Sequence, residues 1–131
     1  MRSGVEEFFS DFHRGFMKSR GYRKVRHRFS RAMDGYVEAF EFQGSAFNES
    51  SGSWRFYINV GVVFPDLGKR PGVRIEHVVE GAPPHFDLPD PVPAACGEEI
   101  AALLAAASES VASQLPQIHQ AFRQKRYWVG F

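Results

Sequence analysis

The stretch Trp54-Arg55-Phe56-Tyr57-Ile58-Asn59-Val60-Gly61-Val62-Val63-Phe64 decides the fold. Its even-numbered residues are all large and apolar, while the odd-numbered ones include Arg55, Tyr57 and Asn59. A period of two over that length marks a strand with one face on a core and the other open. Pro65-Asp66 ends it.

Working upstream, Tyr36 to Gln43 reads as a neighbouring strand in which Gln43 shares a face with Val37, Ala39 and Glu41. The polar stretch Gly44 to Ser53 joins the two as a hairpin loop. Before them, Arg23 to Arg31 reads as one half-exposed strand, with Val25, His27 and Phe29 on one side and Lys24, Arg26 and Arg28 on the other. Asp34-Gly35 supplies the tight turn between those strands. Downstream, Val73 to Val79 is the expected fourth strand, with Val73, Ile75 and His77 facing one way. Gly81 to Pro93 carries Pro83, Pro84, Pro89, Pro91 and Pro93 and is expected to be an extended surface connection.

Two segments change the period to that of a helix. From Gly4 to Arg20, Val5, Phe8, Phe9, Phe12 and Phe16 form one apolar stripe, and Gly21 stands where a C-terminal cap belongs. From Glu98 to Leu115 the stripe is Ile100, Leu103, Leu104, Ala107, Val111 and Leu115. Pro116 kinks that helix or starts another, and Ile118 and Phe122 carry the stripe on. The fold class is therefore α+β: an antiparallel sheet of about four strands, with an N-terminal and a C-terminal helix packed on one face. At 131 residues the chain makes a single domain, 1–131. The apolar tail Tyr127-Trp128-Val129-Gly130-Phe131 either docks on the core, which is the weightier reading, or contacts a partner.

A formal net charge of +1 hides segregation. Residues 14 to 31 hold eight of the 16 basic side chains and no acid, whereas Ile75 to Phe122 holds no Lys or Arg. The basic patch Arg23, Lys24, Arg26 and Arg28 fits an acidic or phosphate-rich partner. The plainer reading is an edge strand guarded by charge, and the face lacks aromatics for stacking on bases.

Motifs for chemistry are scarce. There is no phosphate-cradling Gly-rich loop and no nucleophile elbow. Five dispersed histidines and the lone Cys96 make no metal-ligand set, so no metal and no cofactor is expected. Cys96 reads as a small, partly buried thiol. His27 and His77 are placed on adjacent strands, as structural histidines. Asp87 and Asp90 read as part of a solvated turn. The absence of a catalytic motif leans against an enzyme. With no apolar leader and no apolar run of membrane-spanning length, a cytoplasmic protein without membrane contact is expected.

The polar face of the central strands does stand out. Glu41, Gln43, Arg55, Tyr57 and Asn59 fall on one surface if the strands pair across the Gly44–Ser53 loop, with Ser45 at its margin. Such amides either recognise a ligand or satisfy backbone groups at the sheet edge.

Lys18-Ser19-Arg20-Gly21-Tyr22, Phe42-Gln43-Gly44-Ser45 and Phe56-Tyr57-Ile58-Asn59-Val60-Gly61-Val62 resemble the helix end and the two strand motifs of a bacterial domain-of-unknown-function family, numbered 4304. Glu41 departs from the Asn usual there, and Arg74-Ile75 is similar to an Arg-Ile pair of the second half. The resemblance implies a small α+β domain with no established activity. It adds weight to Gln43, Ser45 and Asn59. The candidate ligand or partner residues are thus Gln43, Ser45, Arg55, Tyr57, Asn59 and Arg74.

Three functions follow in order of expectation. The first is a non-catalytic binding module with a protein partner, with immunity or defence as one version. The second is nucleic-acid or nucleotide binding through residues 14–31, which is not favoured. The third is a small-molecule receptor or enzyme that uses the polar strand face and needs a concave pocket there. The expected assembly is a monomer or homodimer.

Overall fold

The computed structural model describes residues 3–45, 48, 53–68, 71–89 and 91–124. The strand that anchored the sequence reading is β4, Trp54–Val63. Its even-numbered side chains are all buried, and the isolated bridge Phe64–Gly68 extends it. On one edge β4 pairs along most of its length with β3, Val37–Gly44, in antiparallel register from Val37–Val63 to Gly44–Phe56.

Beyond β3 lies a hairpin where one strand was expected. β1, Arg23–Val25, and β2, Arg28–Ala32, pair antiparallel around the two-residue turn Arg26-His27. Arg26 takes a left-handed φ of 55°, unusual for a side chain other than Gly or Asn. His27 holds the turn in place: its ring stacks on Phe9 at 4.2 Å, and its Nε2 meets Glu6 Oε1 at 3.0 Å. The expected Asp34-Gly35 turn forms, with Gly35 at φ 87° and Met33 N–H donating to Tyr36 O at 2.8 Å.

The other edge of β4 is shared. β5, Val73–Arg74, pairs with its middle, and β6, Phe86–Leu88, pairs with its first residues. The expected strand Val73–Val79 stops after two residues and becomes a 3-10 turn, Ile75–His77. Ile75 and Val78 thereby reach the core, and His77 is exposed. β6 lies inside the proline-rich connection. Prolines on both sides hold it to three residues, yet Leu88 is fully buried and Phe86 stacks on Phe56 at 5.3 Å. The sheet has six strands, in the order β1-β2-β3-β4-β5 with β6 also on β4.

All described helices pack against the even-numbered face of β4. α1, Ser3–Phe12, presents Val5, Phe8, Phe9 and Phe12 to Phe29, Phe42 and Trp54. It continues as a π turn, His13–Met17, and a 3-10 turn, Lys18–Arg20, and Gly21 caps it at φ 90°. A π turn holds about one residue more than an α turn. The next fully buried side chain is therefore Met17, and Phe16 is only half-buried. α2, Ala95–Ser113, buries Ile100, Leu104, Ala107 and Val111. Its start lies close to the π turn, where a Cβ on Gly97 would come within 2.9 Å of the Phe16 ring. α3, Leu115–Arg123, begins with Pro116 in its first turn, and its Phe122 packs edge-on against Phe64 at 5.7 Å. Each fully buried Phe contributes about 1.5–3 kcal/mol, which gives the Phe-rich composition its structural use. The tail 127–131 lies outside the described residues.

Candidate functional site

Cross-strand partners share a face, so the register orders the side of the sheet that no described helix covers. One row runs Arg28, Glu41, Asn59, Arg74 across β2, β3, β4 and β5. A second places Gln43 opposite Tyr57, and a third places Arg55 opposite Asp87.

Four of the expected residues interlock. Gln43 Oε1 accepts from Asn59 Nδ2 at 3.0 Å and from Arg74 Nη1 at 3.2 Å. Arg74 Nη1 also donates to Asn59 Oδ1 at 2.9 Å, and its guanidinium lies 4.2 Å above the centre of the Tyr57 ring. Arg74 is paired with amide oxygens and a π face, and with no carboxylate among the described residues. Among the described residues its charge is therefore held in place by amide oxygens and a ring rather than by an opposite charge.

The other two sit apart. Arg55 donates through Nε to Asp87 Oδ1 at 3.0 Å, and this carboxylate raises the arginine's pKa further above its usual value. Ser45 N–H donates to Arg55 O at 2.9 Å, which carries the β3 line to the loop margin. There the Asn48 side chain exchanges two hydrogen bonds with the Arg55 main chain, each of 2.7 Å.

The basic patch does not form one surface. Arg23 and Arg28 pair with Ser30 and Glu41 on the open face, Lys24 pairs with the core residue Phe29, and Arg26 occupies the turn. The hairpin divides the row Lys24, Arg26 and Arg28 that a single strand would have aligned. It also places His27 at the β1–β2 end of the sheet and His77 beyond β5 at the other edge, so they are not on adjacent strands. Asp87 belongs to Arg55, and Asp90 lies outside the described residues. Burial, then the nearby Glu99, raises the Cys96 thiol pKa, which opposes thiolate chemistry.

The open face has a shallow depression of about 70 Å³, lined by Arg28, Ala39, Glu41, Asn59 and Gly61 among others. The small pair Ala39–Gly61 makes it. Small-molecule sites generally enclose about 300–1,000 Å³, so this depression suits the tip of one side chain. A cavity of about 380 Å³ lies elsewhere, between α1 and Pro91–Ala94, and no buried polar side chain lines it. Among the described residues no group of three or more His, Cys, Asp or Glu is placed to hold a metal ion.

One polar cluster escaped the sequence reading. Glu38 is fully buried on the core face of β3. The Tyr22 hydroxyl donates to Glu38 Oε1, Ser108 Oγ donates to Oε2 at 2.5 Å, and Arg31 Nη2 donates to Oε1 at 3.3 Å. The Arg31 guanidinium lies 4.4 Å above the centre of the Tyr22 ring. Burial first, then the hydrogen bond to Glu38, pushes the Tyr22 phenol well above its usual pKa. A signal was present: Glu38 stands in the same two-residue register as Phe40 and Phe42, at a position that demands an apolar residue unless partners await it.

No curated protein and no solved structure matches the chain. Residues 14–94 match the family model described as a domain of unknown function (DUF4304). The matched span runs from the π turn past β6 and includes Gln43, Asn59, Tyr57 and Arg74. It covers more than half of the 131 residues, and the chain belongs to that family.

Proposed function

We propose that this chain is a non-catalytic binding module that docks a protein partner on the open face of its sheet, with immunity or defence as one setting for such a role. The observation that carries this reading is the Gln43–Asn59–Arg74–Tyr57 cluster, a preordered group on a face free of described helices. Tyr and Arg are the side chains most often found at the energetic centre of protein interfaces. Ordering them in the free protein lowers the entropy cost of association. The shallow depression weighs against a small-molecule receptor, and the divided basic patch weighs against nucleic acid.

Photo-crosslinking in cells that produce the full chain tests the reading. A crosslinking side chain at Glu41, on the open face, should give one discrete protein adduct that the same group at the exposed helix position Glu109 does not give. Asn59→Ala should remove that adduct while the thermal midpoint stays near that of the parent. Equal adducts from both positions, or none from Glu41, would overturn it.

A further inference from the structure

Arg74 uses one end of its guanidinium and leaves the other. The hydrogens on Nη1 go to Gln43 Oε1 at 3.2 Å and to Asn59 Oδ1 at 2.9 Å. Nε–H and the Nη2 hydrogens have no acceptor among the described residues. Neither nitrogen is sealed from solvent, because Arg31 Nε is the one buried side-chain nitrogen or oxygen there without a partner. The Nε–Nη2 edge therefore presents parallel N–H groups to solvent, and that geometry matches the two oxygens of a carboxylate.

The edge is also held still. The amides fix Nη1, the Tyr57 ring lies 4.2 Å below the guanidinium centre, and β5 keeps Arg74 opposite Asn59. The surroundings favour one anion over a row of them. Arg55 is already met by Asp87, and the exposed Glu41 stands in the same row as Arg74. Both carboxylates repel a chain of phosphates.

We infer that the protein partner of the open face presents an Asp or Glu side chain to the Nε–Nη2 edge of Arg74, in a two-pronged contact. The inference rests on the docking role proposed above and adds the chemistry of the contact. Once the partner covers the pair and excludes water, the attraction is stronger than between exposed charges.

The test uses cells that produce the full chain with the crosslinking side chain at Glu41, so that the adduct reads docking. Gln43→Glu in that background puts a carboxylate where the amide oxygen already meets Arg74. The charge is then met from within while the guanidinium stays. The adduct yield at low expression should fall about tenfold or more, as in Arg74→Gln, the usual effect of losing a charge-assisted hydrogen bond. The thermal midpoint of Gln43→Glu should not drop. Arg74→Lys keeps the charge without the fork and should fall in between. It also allows a direct readout, because a carbodiimide joins an amine to a carboxylate with no spacer. Arg74→Lys should couple to the protein found in the Glu41 adduct, at an Asp or Glu side chain identified by mass spectrometry. Arg123→Lys, at an exposed position on α3, should not. An undiminished adduct in Gln43→Glu or Arg74→Gln, or no such coupling, would overturn the inference and leave the docking role standing. No Glu41 adduct, or one that nuclease digests, would overturn both.

Discussion

Ser108 on α2 donates its hydroxyl to Glu38 on β3 at 2.5 Å, across 70 residues of sequence. The same carboxylate accepts from Tyr22, at the end of the first helical segment, and from Arg31 on β2. One buried group therefore ties both helical segments to two strands. Removing it strands three donors at once. Glu38→Ala should destabilise the fold by about 3–5 kcal/mol, the usual cost of breaking a buried pair from one side. Ser108→Ala should cost only about 1–2 kcal/mol, because Tyr22 and Arg31 still serve the carboxylate. Urea unfolding midpoints at an unchanged m-value measure both. Equal losses would show that the cluster is not centred on Glu38.

Tyr22 gives that cluster a pH signature. Its folded-state pKa is raised above the ordinary tyrosine value of about 10 by burial and by Glu38. Above about pH 10 the unfolded chain releases this proton and the native chain keeps it, so stability falls as pH rises. The contribution is fully present below the unfolded value and is lost progressively above it. Tyr22→Phe lacks that loss. The stability gap between parent and variant should therefore be constant from neutral pH to about pH 9 and narrow beyond it, as read by denaturant unfolding at a series of pH values. A gap that widens with alkali would reverse the sign and refute the assignment.

The parts of the fold legible in the sequence are those where one period runs unbroken. The β4 alternation named its core face residue by residue, and the same parity put Gln43, Tyr57 and Asn59 on the open side. Arg74 joined them because β5 pairs it with Asn59, a long-range fact that no local pattern carries. Local rules failed where the backbone departs from its usual state. The π turn replaced the expected Phe16 with Met17. The β1–β2 turn uses Arg26 at positive φ with no Gly or Asn to announce it. β6 is too short, between its prolines, to show a period. Glu38 was visible as an acid in a core register, but Ser108, the partner on α2, lies far along the chain.

Close packing at Gly44 gives a third test. A Cβ there would stand 2.7 Å from the Trp54 ring, nearer than van der Waals contact permits. Trp54 is only 6% exposed and packs on Phe9, His27 and Phe56, so the ring has little room to retreat. Gly44→Ala should cost about 1–3 kcal/mol, as overpacking generally does. Gly15→Ala meets nothing within 4 Å and should be neutral or stabilising, since the position is helical. Thermal unfolding of the two variants side by side separates steric cost from a general effect of replacing glycine.

The divided basic segment bears on nucleic-acid binding through salt dependence. Each phosphate neutralised on duplex DNA adds about 0.9 to the slope of log affinity against log salt. Arg23, Lys24, Arg26 and Arg28 acting as one surface would engage a backbone together and give a slope magnitude near 4. In the folded chain only Arg23 and Arg28 pair onto the open face, and Arg28 stands opposite Glu41. Any DNA binding should therefore show a slope magnitude of about 2 or less, and Lys24→Gln should leave it unchanged. Fluorescence anisotropy with a labelled duplex over a salt series reads the slope directly. A magnitude near 4 that drops by about one unit with each of the four substitutions would mean that the segment acts as one surface. The docking role of the open face would then have to yield to a nucleic-acid partner.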